Sequence, residues 1–432
     1  MELHTTAPDP AVTLASRNRR YAWVVFALAF GLLLADYMSR QVLSAVFPFL
    51  KTEWALSDSR LGSLTSVVAL MVGILTLPLS LLADRWGRVR SLVLMAVLWS
   101  VATLVCALAA DYQQMLAARF LVGVGEAAYG SVGIALVLSV FAPRMHAALG
   151  GAFMAGGSFG SVLGVGLGGL IAVRLGWRWS FAVMAVFGLL LALLFRAVVS
   201  EAKLASHAAA DPRTGDAGNG FRAPVSTLFT NPAVVWAYLG SALQIFTAAV
   251  LLSWMPSFFN RAYHLAPDRA GVVASVFVLL VGAGMVGCGM ITDHAGRVDM
   301  SRKWTAALVF CAISLACLII GFSVGTGPVQ LLLIGVGAFF SGGSSGPTAA
   351  MVANLTHPSV RASAFGTLTL ANSLLGLALG PFVVGVLADH LGLATALRLA
   401  PLAYLAAIAA LLLGRRAYPS GLRKLAAVDH SL

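Results

Sequence analysis

Two acids and two arginines, Asp36, Arg40, Arg119 and Glu126, stand inside long apolar stretches of this chain, at 21–50 and 115–141. A charge held at bilayer depth costs about 3 kcal/mol or more, so it is rarely kept without a partner or a task. Asp36 and Arg40 are four residues apart and share one helix face; Arg119 and Glu126, seven apart, share another over two turns. At about 1.5 Å per residue, Asp36 lies roughly 20 Å from Phe49 and Glu126 roughly 17 Å from Met115, so both acids fall near mid-depth. Arginine holds a carboxylate or phosphate through paired hydrogen bonds. A carboxylate beside it stays ionised until an anion competes for the arginine, and then takes up a proton. That exchange couples proton uptake to anion binding. Glu126 is the first candidate for the proton and Asp36 the second. Arg40 is the anion ligand; Arg119 is expected to orient Glu126 and can share the substrate. Tyr37, Gln41 and Tyr129 are neighbouring candidate ligands. The competing reading is an ion network that only pins two helices, and it is weakened because a buried pair usually stabilises less than apolar packing of equal volume.

The elements that must position these groups are membrane spans. Hydrophobic residues make up 59% of the 432 and charged residues 10%, far from the balance of a soluble domain. Twelve apolar runs are long enough to cross a bilayer: 21–50, 61–83, 91–110, 115–141, 149–173, 180–198, 233–258, 271–292, 304–325, 328–351, 362–388 and 394–414. The first is too long for a signal-peptide core. An even number of spans puts both termini on one side. Of the 28 Lys and Arg, 19 fall on that side, 7 on the other and 2 within spans. This bias places the termini in the cytoplasm and makes the net charge of +12 topological, with headgroups rather than nucleic acid as its partner. The 24 arginines against 4 lysines fit a GC-rich bacterial genome, hence a bacterial inner membrane. All eight histidines lie in loops, tails or span ends, so proton chemistry at depth falls to carboxylates. Cys106, Cys288, Cys311 and Cys317 lack metal-ligand spacing and read as packing residues. No metal, cofactor, nucleotide-binding loop or enzyme motif is expected.

The chain repeats itself. Residues 199–232 break the apolar pattern with Pro, Gly and both charge signs, as a linker between two six-span halves does. Between spans 2 and 3 runs Ser80-x-x-x-Asp84-Arg85-x-Gly87-Arg88; between spans 8 and 9 runs Gly289-x-x-x-Asp293-His294-x-Gly296-Arg297. A second echo pairs Pro143 and Arg144 with Pro358 and Arg361. Parallel six-span repeats describe one architecture of secondary transporters. The loop LADRWGRVR (82–90), RFLVGVGEAAYG (119–130) and GWRWSF (176–181) resemble signature stretches of the major facilitator superfamily. DYMSRQVL (36–43) resembles the first span of its spinster-like and anion:cation symporter branches, with Ser39 where those carry the acid and Asp36 one turn earlier.

That resemblance implies an all-α membrane protein of twelve transmembrane helices in two pseudo-symmetric six-helix bundles: a cytoplasmic tail (1–20), a first bundle (21–198), the linker (199–232), a second bundle (233–414) and a C-terminal tail (415–432). It implies alternating access, with Asp84, Arg85, Gly87, Arg88, Asp293, Gly296 and Arg297 holding the cytoplasmic side shut in one state. The expected function is proton-coupled symport of a small organic anion by a monomer, without a cofactor. The alternative is spinster-like transport of a lysophospholipid or another amphiphile. The second half offers polar and aromatic groups at depth, Tyr238, Gln244, Trp254, Ser344, Ser345 and Asn372. Of these Gln244 and Asn372 are the expected ligands, although such groups more often serve helix packing.

Overall fold

The computed structural model describes residues 10–141, 145–207, 227–296, 301–357 and 360–430. They form α1 (Pro10–Glu53), α2 (Asp58–Trp86), α3 (Arg88–Leu108), α4 in two pieces (Tyr112–Glu126 and Tyr129–Ser139), α5 (His146–Leu175) and α6 (Trp177–Val198). After short helices at Glu201–His207 and Thr227–Thr230 come α7 (Pro232–Ala262), α8 (Pro267–Gly296), α9 (Arg302–Gly321) and α10 (Pro328–Ser341 and Ser345–Leu355). Last are α11 (Arg361–Ala371 and Leu379–Leu391) and α12 (Leu393–Leu399 and Ala403–His430). Eleven of these are long and apolar enough to cross a membrane. The twelfth crossing, α10, is the shorter Pro328–Ser341 continued through a 3-10 turn, Gly342–Ser344, into its second piece. α1 and α12 run helically into both stretches read from sequence as tails. Most of the linker, 208–226, lies outside the described residues.

Helix ends follow side-chain chemistry. Asp111 caps α4 through the Gln114 N–H (2.9 Å), and Asn231 caps α7 through the Ala233 N–H (3.2 Å) with Pro232 next in line. Gly176 turns α5 into α6 at φ +95°, a conformation glycine adopts without strain. The indole of Trp177 then donates to Glu53 at 2.5 Å and Arg178 pairs with the same carboxylate at 2.8 Å. This pins the start of α6 to the end of α1, and gives the GWRWSF stretch a structural task. Along α5, Gly156, Gly160 and Gly164 let α1 approach so closely that methyl groups there would collide with Phe30, the Leu34 carbonyl and Met38. The four cysteines are free thiols.

The core is distributed unevenly. One apolar cluster fills both halves at the end opposite the termini, the far end, with Phe47 of α1 against Trp254 of α7 at 5.3 Å between ring centroids, and continues through the second half to its terminus end. At the terminus end, a separate cluster of Leu32, Trp99, Tyr129, Phe153, Phe195 and their neighbours belongs to the first half alone. The halves are joined at the far end by their apolar interior.

Candidate functional site

α4 breaks immediately after Glu126, at Ala127–Ala128, where Ala128 leaves the helical region (φ −115°, ψ 2°). A break at membrane depth needs partners for the released backbone groups. Thr76 of α2 supplies one, its hydroxyl donating to the Ala127 carbonyl at 2.6 Å. The glutamate is thereby held at the end of a helix segment, facing α1. There Arg40 donates to Glu126 Oε2 from Nη2 at 2.8 Å and from Nε at 3.0 Å. Ser39 Oγ approaches Oε1 at 3.4 Å. Asp36, one turn before Arg40, is buried, with Oδ1 lacking a hydrogen-bond partner among the described residues. The Tyr37 ring lies under the Arg40 guanidinium at 5.2 Å, a cation–π support, while its other side packs on Gly157 and Gly160 of α5.

Glu126 is fully enclosed, but Arg40 keeps 19% of its side chain exposed. That exposed part reaches a cavity of about 50 Å³ between the halves. Gln41 and Ser44 of α1, Thr65 of α2, Ser253 of α7 and Pro381 of α11 line it with Arg40. One guanidinium is thus shared between a buried carboxylate and the interface of the two halves.

Arg119 behaves otherwise than the sequence reading expects. It is fully buried and donates to three main-chain carbonyls, Ser39 (3.3 Å), Leu64 (3.4 Å) and Arg40 (3.5 Å), rather than to Glu126. Two turns separate it from the glutamate, and the carbonyls of α1 and α2 are nearer. Its task is to tie α4 to the stretch of α1 that carries Arg40. Tyr129 is engaged within its own bundle: its hydroxyl donates to the Ala29 carbonyl at 2.9 Å and its ring sits edge-on to Trp99. Gln244 turns toward α9, its amide donating to Ala307 O and Cys311 Sγ, so it faces the interior of its own bundle instead of the cavity. Asn372 opens the π turn of α11 (Asn372–Ala378), with Oδ1 buried and without a hydrogen-bond partner among the described residues. Ser373 beside it presses against Gly73 of α2.

A second cluster closes the far end. Asp58 at the start of α2 is nearly inaccessible and binds Lys51 of α1 at 2.6 Å. It also takes both terminal nitrogens of Arg261, at the end of α7, at 2.6 and 2.8 Å. Asp389 of α11 accepts the backbone N–H groups of Asp58 (2.6 Å) and Ser59 (3.0 Å). The backbones touch beneath it: a methyl at Gly62 would collide with the Pro381 carbonyl oxygen, and one at Gly385 would lie 2.5 Å from that of Asp58. Ser44, Thr65, Ser253 and Pro381 of the cavity lie seven or eight residues, about 11 Å, below Lys51, Asp58, Arg261 and Asp389 on the same four helices. The fastened end therefore roofs the cavity.

Of the loop residues, Gly87 ends α2 at φ +96° and sits against the Glu201 carboxylate, which accepts the Val89 N–H at 2.8 Å. Arg88 donates to the Ala135 carbonyl at 3.4 Å, and Arg85 is exposed. Asp293 pairs with Lys303 at 3.5 Å, and Gly296 packs on the stem of that lysine. Each bond named here stays within its own half. Arg297 and Pro143, Arg144 and Pro358 lie outside the described residues, as do the side chains of Asp84, Ser344, Ser345 and Arg361.

Sequence reasoning missed Ser39, Thr76, Glu201 and the whole far-end cluster. Its signal was present: Lys51 and Asp58 recur as Arg261 and Asp268, a base followed by an acid seven residues on, 210 residues later.

Twelve helices in two bundles, roofed at one end above a shared arginine, define a polytopic membrane transporter. The Major Facilitator Superfamily model matches residues 28–375, and the chain belongs to that family, whose members are transporters and not enzymes. It is 28% identical over 344 residues to a probable L-galactonate transporter of Escherichia coli, covering 77% of this chain and 76% of that one. To the hexuronate transporter of Bacillus subtilis it is 24% identical, covering 83% and 86%. To protein spinster homolog 3 of Danio rerio it is 26% identical, covering 88% and 79%. Its fold matches the crystal structure of a bacterial homolog of the human lysosomal transporter spinster, in an inward-facing and unoccupied conformation. The TM-score is 0.80 at 19% identity over 93% of this chain and 98% of that one.

Proposed function

We propose that this transporter is a proton-coupled symporter of a small organic anion, working by alternating access. The observation that carries the reading is that Arg40 bonds Glu126 while its exposed edge lines the cavity between the halves. An incoming carboxylate takes hydrogen bonds from that guanidinium, Glu126 loses them, and its ionised form loses the partner that stabilised it. Glu126 then takes a proton, with Asp36 beside it as the second acid, and the loaded site is neutral enough to move. Ser44, Thr65, Ser253 and Gln41 offer hydroxyl and amide partners to a hydroxylated acid. Relatives named as galactonate and hexuronate transporters support a sugar-acid substrate. The positive-inside bias supports cytoplasmic termini in a bacterial inner membrane, so that the roofed end is periplasmic. One chain supplies the whole site, and the monomer is the working unit. The loops at Gly87 and Gly296 with their acids and arginines would meet across the halves when the cytoplasmic end closes. The hydroxyls lining the cavity beside Arg40 favour a hydroxylated acid over an amphiphile.

Purified protein in proteoliposomes, given an inward pH gradient and a panel of radiolabelled sugar acids, is expected to accumulate at least one of them. Glu126→Gln is expected to abolish pH-driven accumulation while keeping substrate exchange. Undiminished pH-driven uptake by that variant would move the proton elsewhere, and no response to the gradient with any acid would end the coupling claim.

A further inference from the structure

A second cavity, of about 530 Å³, opens at the terminus end of the second half, away from the transport site. Two arginines from different helices line it: Arg302, the first residue of α9, and Arg415 of α12. Both are exposed, and neither has an ion-pair partner among the described residues. Asp293, the acid of the adjoining α8 terminus, is taken by Lys303 at 3.5 Å. Thr305 adds a hydroxyl one turn into α9, whose first N–H groups lend their partial positive charge. Below the arginines the lining becomes apolar through Ile291, Val309 and Phe310. Ile291 is 51% and Val309 47% exposed, on helices that cross the membrane. A cationic rim at a span boundary, continuous with an apolar trough, has the shape of a phospholipid: a phosphate above and an acyl chain beneath. Two arginines exceed what a zwitterionic headgroup neutralises, and basic recesses between spans select anionic lipids.

We propose that this recess is a binding site for an anionic phospholipid of the terminus-side leaflet, its phosphate held by Arg302 and Arg415 and an acyl chain laid over Ile291, Val309 and Phe310. The site reads both parts of the molecule, so a soluble anion of the same charge is a poor substitute. It also adjoins Asp293 and Gly296, the second half's copy of the repeated loop.

The test is native mass spectrometry of the intact, delipidated transporter in detergent, titrated with phosphatidylglycerol and, separately, phosphatidylcholine of the same chains. Wild type is expected to bind phosphatidylglycerol preferentially, and the Arg302→Gln, Arg415→Gln double variant to bind it about thirtyfold more weakly, each arginine contributing about a factor of five. Phosphatidylcholine binding is expected to be the same in both, and the Arg302→Lys, Arg415→Lys variant to keep most of the preference. Thermal unfolding of the variants beside wild type reports that they are folded. Equal phosphatidylglycerol binding by wild type and the folded glutamine variant would overturn the assignment. So would displacement of the lipid by millimolar glycerol 3-phosphate, which would make the recess a soluble-anion site.

Discussion

Removing the guanidinium of Arg261 tests whether the far-end cluster sets the balance between states. Arg261 is the side chain that crosses from α7 to the Asp58 carboxylate, with contacts at 2.6 and 2.8 Å. Asp58 is 3% exposed at its side chain and Arg261 31%. Hydrogen bonds to a charged group contribute about 1.5–3 kcal/mol each, and the exposure of Arg261 screens part of that. Arg261→Gln keeps the stem and one weaker hydrogen bond and leaves Lys51 on Asp58, so the loss to the closed far end is about 2 kcal/mol. That corresponds to about a thirtyfold shift in a two-state population. The assay is pulsed electron–electron spectroscopy between spin labels at Thr52 and Ala266, exposed positions in opposite halves at the far end, in a cysteine-depleted background. Wild type is expected to give one short distance, and Arg261→Gln a second, longer component that grows to a large fraction of the molecules. Arg269→Gln, a charge removed at the same end without a bond across the halves, serves as the control. If Arg261→Gln leaves the distribution unchanged, or the control shifts it equally, the cluster does not hold the far end shut.

Three further outcomes follow from the geometry. Gly385→Ala is expected to enlarge the same long-distance component without altering any charge, because its methyl would meet the Asp58 carbonyl at 2.5 Å; an unaltered distribution would mean the backbones need not approach so closely. Tyr129→Phe is expected to lower thermal stability by about 1 kcal/mol through loss of the bond to Ala29 O while leaving substrate KM unchanged; a tenfold rise in KM would keep Tyr129 in the ligand set. Arg119→Leu removes three hydrogen bonds from the guanidinium to the main chain of α1 and α2 and is expected to cost about 3 kcal/mol of stability in detergent and most of the transport; a variant with wild-type melting and uptake would contradict its role in holding α1.

The spans, the repeat and the gathering of Asp36, Arg40 and Glu126 at one depth were legible because each is a local statement. Apolar runs count their own length, a 209-residue offset is visible in letters, and charged groups near mid-depth on two spans must seek one another, although the letters gave Glu126 to Arg119 rather than to Arg40. What the letters hid is where a third group spends its hydrogen bonds. Arg119 has the right depth and charge to serve Glu126, but the carbonyls of Ser39, Leu64 and Arg40 compete for it, and backbone acceptors leave no mark in a sequence. Gln244 has a suitable depth as well; its helix is rotated so that Cys311 of α9 receives it. The repeat misleads at the loops too. Gly87 occupies the left-handed region, whereas Gly296 is absent from the positive-φ positions and lies over the Lys303 stem.

That broken symmetry has a consequence at the far end. Lys51 and Arg261 hold corresponding places in the two halves, and both converge on Asp58, while among the described residues Asp268 accepts only the neighbouring N–H of Arg269. When the halves part, Asp58 travels with Lys51 and is never left as a lone anion. Opening therefore forfeits two guanidinium hydrogen bonds and two backbone bonds to Asp389, without stranding a buried charge. The cost of opening the roof is thus kept within the reach of a ligand of ordinary affinity that binds in the cavity about 11 Å below it.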